Sequence, residues 1–184
     1  MARAGLTADA VVEAAAAIAD ADGLAAVTLA SVAARLGVRP PSLYSHVAGL
    51  PDLRARLAAL SAAELADALT PAVAGRAAGD ALRAAGRAYR DWALAHPGRH
   101  AALQVPSARA EPAAERVLAL LVSVMRGYAL DGEAAVHAVR GLRAAIYGFV
   151  TLEAGGGFGL PLAVDESYEW LLEALDRGLA AAAR

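Results

Sequence analysis

The chain has no cysteine, which excludes disulfides, thiolate catalysis and cysteine-ligated zinc. It has no lysine or asparagine, and all 17 basic residues are arginine. Lysine and asparagine codons are AT-rich, so this absence reflects a GC-rich genome and carries no mechanism. Long apolar runs are missing too. No stretch reaches the roughly 18 uncharged apolar residues that a membrane span needs. The greasiest segment, VLALLVSVM at 117–125, is bounded by Arg116 and Arg126 and reads as a buried helix. The opening MARAGLTADA has no apolar signal core, and a cytoplasmic location is expected. The formal net charge is −2, with no long run of one sign. That excludes a globally basic nucleic-acid binder and leaves any DNA contact to a local patch.

One absence is local. From Gly23 to Pro51 there is no aspartate or glutamate, while Arg35, Arg39 and His46 lie within that window. Over residues 1–56 the balance is even, with arginines at 3, 35, 39, 54 and 56 against acids at 9, 13, 20, 22 and 52. The acids fall outside the window.

What is present is alanine. Hydrophobic residues make up 58% of the 184-residue chain, and alanine supplies much of that. Alanine favours helix and buries little area per residue, so the composition predicts an all-α fold. The pattern yields nine helices and no credible strand. The first runs from Thr7 to Asp20 or Ala21, with Val11, Ala15, Ile18 and Ala19 on one face. A long fourth helix starts at Asp52 and ends near Leu69, with Leu53, Leu57, Leu60 and Leu65 as its seam. Thr70–Gly79 reads as a loop. Asp80 caps a fifth helix that His96-Pro97-Gly98 stops, and a short helix spans about Arg99–Val105. The helix from Pro112 to about Tyr128 is apolar nearly all round and is expected to be central. A long helix covers Glu133 to Ala154, with Val136, Val139, Leu142, Ile146, Phe149 and Val150 on one face. Gly155–Leu162 breaks the pattern, and Asp165 caps the last helix. Its apolar register is Tyr168, Leu171, Leu172, Leu175 and Leu179.

The most informative stretch is TLASVAARLGVRPPSLYSHV, residues 28–47. Val32, Ala33 and Leu36 share one helical face, and Thr28 precedes them as an N-cap. Gly37 sits where a helix ends in a left-handed conformation. Pro40 or Pro41 opens a second helix, whose inner face is Leu43 and Val47. Small Ala33 lets the two helices cross closely. This is a helix-turn-helix in an acid-free window. Its short hydroxyl side chains near helix N-termini suit phosphate oxygens.

Enzyme signatures are weak, and no enzymatic activity, cofactor or metal is expected. His96 and His100 are four apart, but Pro97-Gly98 breaks the helix that would align them, and no glutamate stands beside the first as base. GGGFG at 155–159 runs into Leu160-Pro161 rather than opening a helix after a strand, so it is no dinucleotide fingerprint. A helical interaction or sensor module without DNA binding is the alternative, and the neutral balance of residues 1–56 favours it.

The TLxxVAxxLGVxxxSLYxHV pattern, preceded by a first helix ending in Asp22-Gly23, resembles TetR-type transcriptional regulators. YRDWALAHPGRH (89–100) and RGLRAAIYGFVTLEAGGGFGLP (140–161) are similar to the family's Trp-His-Gly C-terminal class, although Ile146 and Tyr147 replace its Trp and His. Val47 stands where the family usually has phenylalanine. Leu50 stands where it has a phosphate-binding lysine, leaving Arg54 and Arg56 as candidate substitutes. Two prolines at 40 and 41 are unusual and remove two backbone donors.

The resemblance implies a DNA-binding domain over 1–50 and a ligand-binding and dimerisation domain over 51–184. It implies a homodimeric repressor, released from a palindromic double-stranded operator by a small, largely apolar effector. Thr28, Arg39, Pro41, Ser42, Tyr44, Ser45 and His46 become the DNA-facing set. Trp92, Leu121, Met125, Tyr128 and Tyr147 become the effector pocket. Leu142, Ile146, Phe149, Leu171, Leu172, Leu175 and Leu179 would serve the dimer interface or the intrachain core, which sequence alone does not divide.

Overall fold

The computed structural model describes residues 6–182; Arg3, counted above in the charge balance, lies outside them. Among the described residues there are eight α-helices, three 3-10 segments and no strand. The α-helices are α1 (Ala8–Asp22), α2 (Leu29–Leu36), α3 (Leu50–Val73), α4 (Ala78–Ala95), α5 (Pro97–Ala102), α6 (Glu111–Arg126), α7 (Gly132–Ala154) and α8 (Val164–Ala182). The 3-10 segments are Leu24–Ala26, Pro40–Ser45 and Ala108–Ala110. All nine expected helical segments are present, the third as a 3-10 helix. No described helix is long and apolar enough to cross a membrane.

The chain forms two compact units. The first combines Met1–Glu64 with His96–Ala114. Its core is small: Val11, Ala15, Val27, Val32, Ala33, Leu43, Leu53 and Leu57 are essentially sealed from solvent. Thr7 caps α1 by accepting from the Ala10 N–H at 3.1 Å. α1 packs most closely on α5, a contact between residues about 80 positions apart. Gly98 makes that contact: a Cβ there would run into the backbone of Ala19 and Asp20. Asp20 then accepts the Arg99 backbone N–H at 2.9 Å. The Arg99 guanidinium reaches Asp20, Glu64 at 2.8 Å and Glu13 at 3.3 Å. So HPGRH is a docking segment, with His96 Nδ1 3.5 Å from Asp20 and His100 buried.

The second unit combines Leu65–Ala95 with Glu115–Arg184, and α4, α7 and α8 pack on one another within it. Tyr168 is buried and donates its hydroxyl to the Gly86 carbonyl at 2.6 Å. Arg90 lies over the Tyr168 ring at 4.9 Å and forks onto Glu153, with Asp165 at 2.6 Å. One guanidinium thus ties α4 to the end of α7 and the start of α8.

Several expectations are corrected. The expected loop 70–79 is shorter, because α3 continues through Pro71 to Val73 and turns at Gly75. Pro71 lies close enough to the helix end that the lost backbone bond interrupts little. α4 starts two residues before Asp80, which pairs with Arg83 at 2.7 Å instead of capping. α8 starts at Val164, and Asp165 serves Arg90 rather than the helix end. α6 is not central. Only Val124 and Met125 are buried in it, and Leu118 is 46% exposed. An apolar surface all round shows that a helix can be buried but does not supply neighbours to cover it. On α7, Ala135 takes the inward position expected of Val136, which is exposed. Gly155–Leu162 contains no regular helix, as expected.

Candidate nucleic-acid interface

The interface begins with the capping of α2. Thr28 Oγ1 accepts the Ser31 N–H at 3.0 Å, and Ser31 Oγ accepts the Thr28 N–H at 3.0 Å, a reciprocal capping box. Ser31 Oγ also donates to the Ala26 carbonyl at 2.8 Å, fixing the entry into the helix. The Thr28 hydroxyl therefore serves the cap first. Gly37 closes α2 with φ +66°, where a Cβ would be strained, and Val38 donates to the Ala33 carbonyl at 3.0 Å.

The second element is a six-residue 3-10 helix, Pro40–Ser45. Pro40 and Pro41 have no N–H to give, so its first backbone bond runs from Ser42 to the Arg39 carbonyl at 2.9 Å. Leu43 is 0% exposed and Val47 2%, packed on Val32 and Ala33 as the spacing requires. That anchor turns the neighbouring side chains outward. Arg39, Pro41, Ser42 and Ser45 are exposed, and Tyr44 is 62% exposed. His46 is half-buried, and Ser45 Oγ donates to the Ser42 carbonyl at 2.9 Å. Arg35, on the outer face of α2, is exposed beside them in sequence.

Charge is sorted within this unit in a way that the even count hides. Arg99 engages Glu13 and Asp20. Asp52 is held by Arg56 at 3.0 Å and Arg109 at 3.1 Å. It also accepts the Ala48 N–H at 3.0 Å, the largest reason its carboxyl lies below the usual aspartate range. Among the described residues no carboxylate comes within ion-pair distance of Arg35, Arg39 or Arg54. The long-range pairs Asp20–Arg99 and Asp52–Arg109 carry no sequence signal.

A helix-turn-helix with an outward, acid-free second element fits a duplex groove. The C-terminal portion supplies the family. Residues 82–175, just over half the chain, match the model described as "Tetracyclin repressor-like, C-terminal domain". HTH-type transcriptional regulator YobS of Bacillus subtilis is 36% identical over 96% of this chain and 94% of its own length. The chain belongs to the TetR family of transcriptional regulators. It is thus a DNA-binding regulator. Solved structures with a similar fold include BioQ of Mycobacterium smegmatis with its double-stranded DNA operator, at TM-score 0.71 and 23% identity over 96% of this chain and 99% of that one. They also include ActR of Streptomyces coelicolor in complex with (S)-DNPA, at TM-score 0.74 and 21% identity over 98% of this chain and all of that one.

The remaining residues singled out from the sequence lie in the second unit of this TetR-family chain. Trp92, Met125 and Tyr128 are buried, and Leu121 and Tyr147 half-buried. The Tyr128 hydroxyl donates to Asp176 at 2.5 Å, and burial raises its pKa above the usual phenol range. Arg83 holds the other oxygen of Asp176 at 2.6 Å. Leu142, Ile146 and Leu172 are sealed inside the unit, whereas Phe149, Leu171, Leu175 and Leu179 keep some exposure. Trp170, not singled out from sequence, is 66% exposed on α8, and its offset of two from Tyr168 is the signal that marks the outer face. Among the described residues no group of three or more His, Asp or Glu side chains is placed to hold a metal.

Proposed function

We propose that this TetR-family protein is a cytoplasmic repressor that binds a palindromic operator as a homodimer and leaves it when a small, largely apolar effector binds. The observation that carries the reading is the outward face of Pro40–Ser45, with Tyr44 62% exposed over a fully buried Leu43. Arg39 is the base reader, because a guanidinium pairs bidentately with guanine O6 and N7. Pro41, Ser42 and Ser45 line the groove-facing side. Tyr44 and His46 touch phosphates, and Thr28 presents the first turn of α2 to another. The BioQ operator complex, on a similar fold, supports the duplex as partner.

One 3-10 element of six residues offers little contact area, so two copies on half-sites about one helical turn (~34 Å) apart are required. The outer faces of α7 and α8 join them, through the half-exposed Phe149, Leu171, Leu175 and Leu179 with Trp170. Leu142, Ile146 and Leu172 stiffen those helices from within. Trp92, Leu121, Met125, Tyr128 and Tyr147 meet the effector, Tyr128 through its ring because its hydroxyl is committed to Asp176. The ActR complex with (S)-DNPA supports a small-molecule effector. The effector favours a conformer whose recognition elements are wrongly spaced, through movement of α3.

The test is a mobility shift of the region upstream of the protein's own gene. Retardation that weakens steeply with salt is expected. No retardation at any salt concentration would leave the non-DNA-binding interaction module as the reading.

A further inference from the structure

Two alanines in the second unit hold a backbone conformation that their side chains oppose. Among the described residues, Ala78 (φ +45°) and Ala129 (φ +57°) are the only non-glycine residues with positive φ. For an L-residue that conformation crowds Cβ against a carbonyl oxygen, and it persists only where the surroundings impose it. The two alanines are far apart in sequence but belong to one junction in space. α6 ends in a Schellman motif: the Leu130 N–H donates to the Met125 carbonyl at 3.1 Å, and the Ala129 N–H to the Arg126 carbonyl at 2.9 Å. Ala129 thus occupies the left-handed position that glycine usually takes. Two residues earlier, Gly127 lies against the start of α4, where a Cβ would run into the backbone of Ala78.

Between Gly127 and Ala129 stands Tyr128, whose side chain ties the junction to α8. It is buried, and its hydroxyl donates to Asp176 at 2.5 Å. The other carboxylate oxygen of Asp176 takes Arg83, in the second turn of α4, at 2.6 Å. The same carboxylate faces Gly79, where a Cβ would lie 2.6 Å from both of its oxygens. Asp176 therefore holds the residue before Ala129 and touches the residue after Ala78. Without that hold each alanine is free to return to an unstrained region, and the end of α6 parts from the start of α4. The consequence reaches α3 through the chain itself. α3 begins at Leu50 in the first unit and ends at Val73 in the second, and only the turn at Gly75 separates it from Ala78.

We propose that Asp176 pins a strained junction between α4 and α6, and that the release of Tyr128 from Asp176 switches the protein from its DNA-binding state to its released state. The proposal rests on the regulator reading above and deepens it. It names the bond that an effector must break when it displaces the Tyr128 ring, and the strain that then drives the change.

The experiment uses the full-length protein without effector: wild type, Y128F, A78G/A129G and the triple variant Y128F/A78G/A129G. Each is read by thermal melting and by its affinity for a labelled duplex of the protein's own upstream region. Glycine accepts positive φ without strain, so A78G/A129G is expected to raise Tm and keep full affinity. Y128F loses a hydrogen bond to a charged group, which depopulates the binding-competent state, and its affinity is expected to fall roughly tenfold or more. With the strain removed, the triple variant is expected to recover the wild-type affinity. A folded Y128F that binds like the wild type overturns the proposal while the regulator reading stands. So does a weakened Y128F that the two glycines do not rescue, because the lost bond then held no strain. An A78G/A129G melt no higher than the wild type overturns it as well. Wild type that does not bind the duplex at any salt concentration overturns both readings. Should Y128F not fold, D176N takes its place with the same expected and refuting results.

Discussion

Gly98→Ala tests the docking of α5 on α1, the closest helix contact in the first unit. The added methyl would meet the carbonyl carbon and oxygen of Ala19 and the nitrogen of Asp20. These are backbone atoms inside α1, so no rotamer change relieves the overlap. α5 must retreat by roughly 1 Å or more before ordinary van der Waals contact is restored. Overpacking of this kind costs about 1–3 kcal/mol. The retreat also stretches the 2.9 Å bond from the Arg99 N–H to the Asp20 carboxylate. A hydrogen bond to a charged group is worth about 1.5–3 kcal/mol. The two effects overlap, so about 2–4 kcal/mol is expected in total. In a chain of this size each kcal/mol moves Tm by roughly 2–4 °C, which gives a fall of about 5–15 °C. Thermal melting followed by circular dichroism reads it, with Gly159→Ala as control, because nothing lies within 4 Å of a Cβ there. A G98A melt within about 2 °C of the wild type, with the control unchanged, would refute the argument that backbone contact at Gly98 sets this packing.

Further outcomes follow from the same geometry. Arg39→Ala is expected to abolish the mobility shift while leaving the melt unchanged, since Arg39 is exposed and has no carboxylate partner among the described residues; equal binding by wild type and variant would remove it as base reader. Tyr44→Phe should weaken binding modestly across all sequences, and a loss confined to one base position would contradict a phosphate contact. Trp170→Glu should convert the proposed homodimer to monomer in sedimentation at micromolar protein, and an intact dimer would place the interface away from this part of α8. Burial lowers the pKa of His100 below its ordinary 6.5. The unfolded chain therefore binds the proton more readily than the folded one, and stability is lost as pH falls below about 6.5. Tm should drop between pH 7.5 and 5.5, and His100→Gln should flatten that drop. An undiminished slope in the variant would assign the effect to other groups.

Legibility from sequence divides by the range of the interactions. The capping of α1 and α2, the Gly37 turn and the burial of Leu43 under Val32 are local, and spacing alone exposes them. The outward face of Pro40–Ser45 follows from that anchor, so the exposure of Arg39, Pro41, Ser42, Tyr44 and Ser45 was readable as a set. The 3-10 form was only half readable: two prolines announce missing donors but not which bonds the chain makes without them. The starts of α4 and α8 were misplaced because Asp80 and Asp165 looked like caps, and the end of α3 because the prolines and glycines of 70–79 looked like a loop. Each has an arginine partner, Arg83 within one turn and Arg90 across 75 residues. Carboxylates answer whichever donor the fold brings, and a sequence shows only the local one.

The same limit explains the charge balance. Five arginines against five acids over residues 1–56 describe a neutral head, and neutrality argued for a module that does not touch DNA. What the count omits is that Arg99 and Arg109 come from beyond residue 56 to occupy Glu13, Asp20 and Asp52. Three of the five acids are thus neutralised from outside, Asp9 and Asp22 are not, and among the described residues no carboxylate comes within ion-pair distance of Arg35, Arg39 or Arg54. A protein with net charge −2 can then still present a locally cationic face to a polyanion. The α5 segment that docks on α1 therefore also neutralises two acids of the unit proposed to face DNA. Arg99→Gln should weaken duplex binding by releasing Glu13 and Asp20, with no contact to the duplex at all. Binding undiminished in a folded R99Q protein would break the link between that ion-pair cluster and the interface.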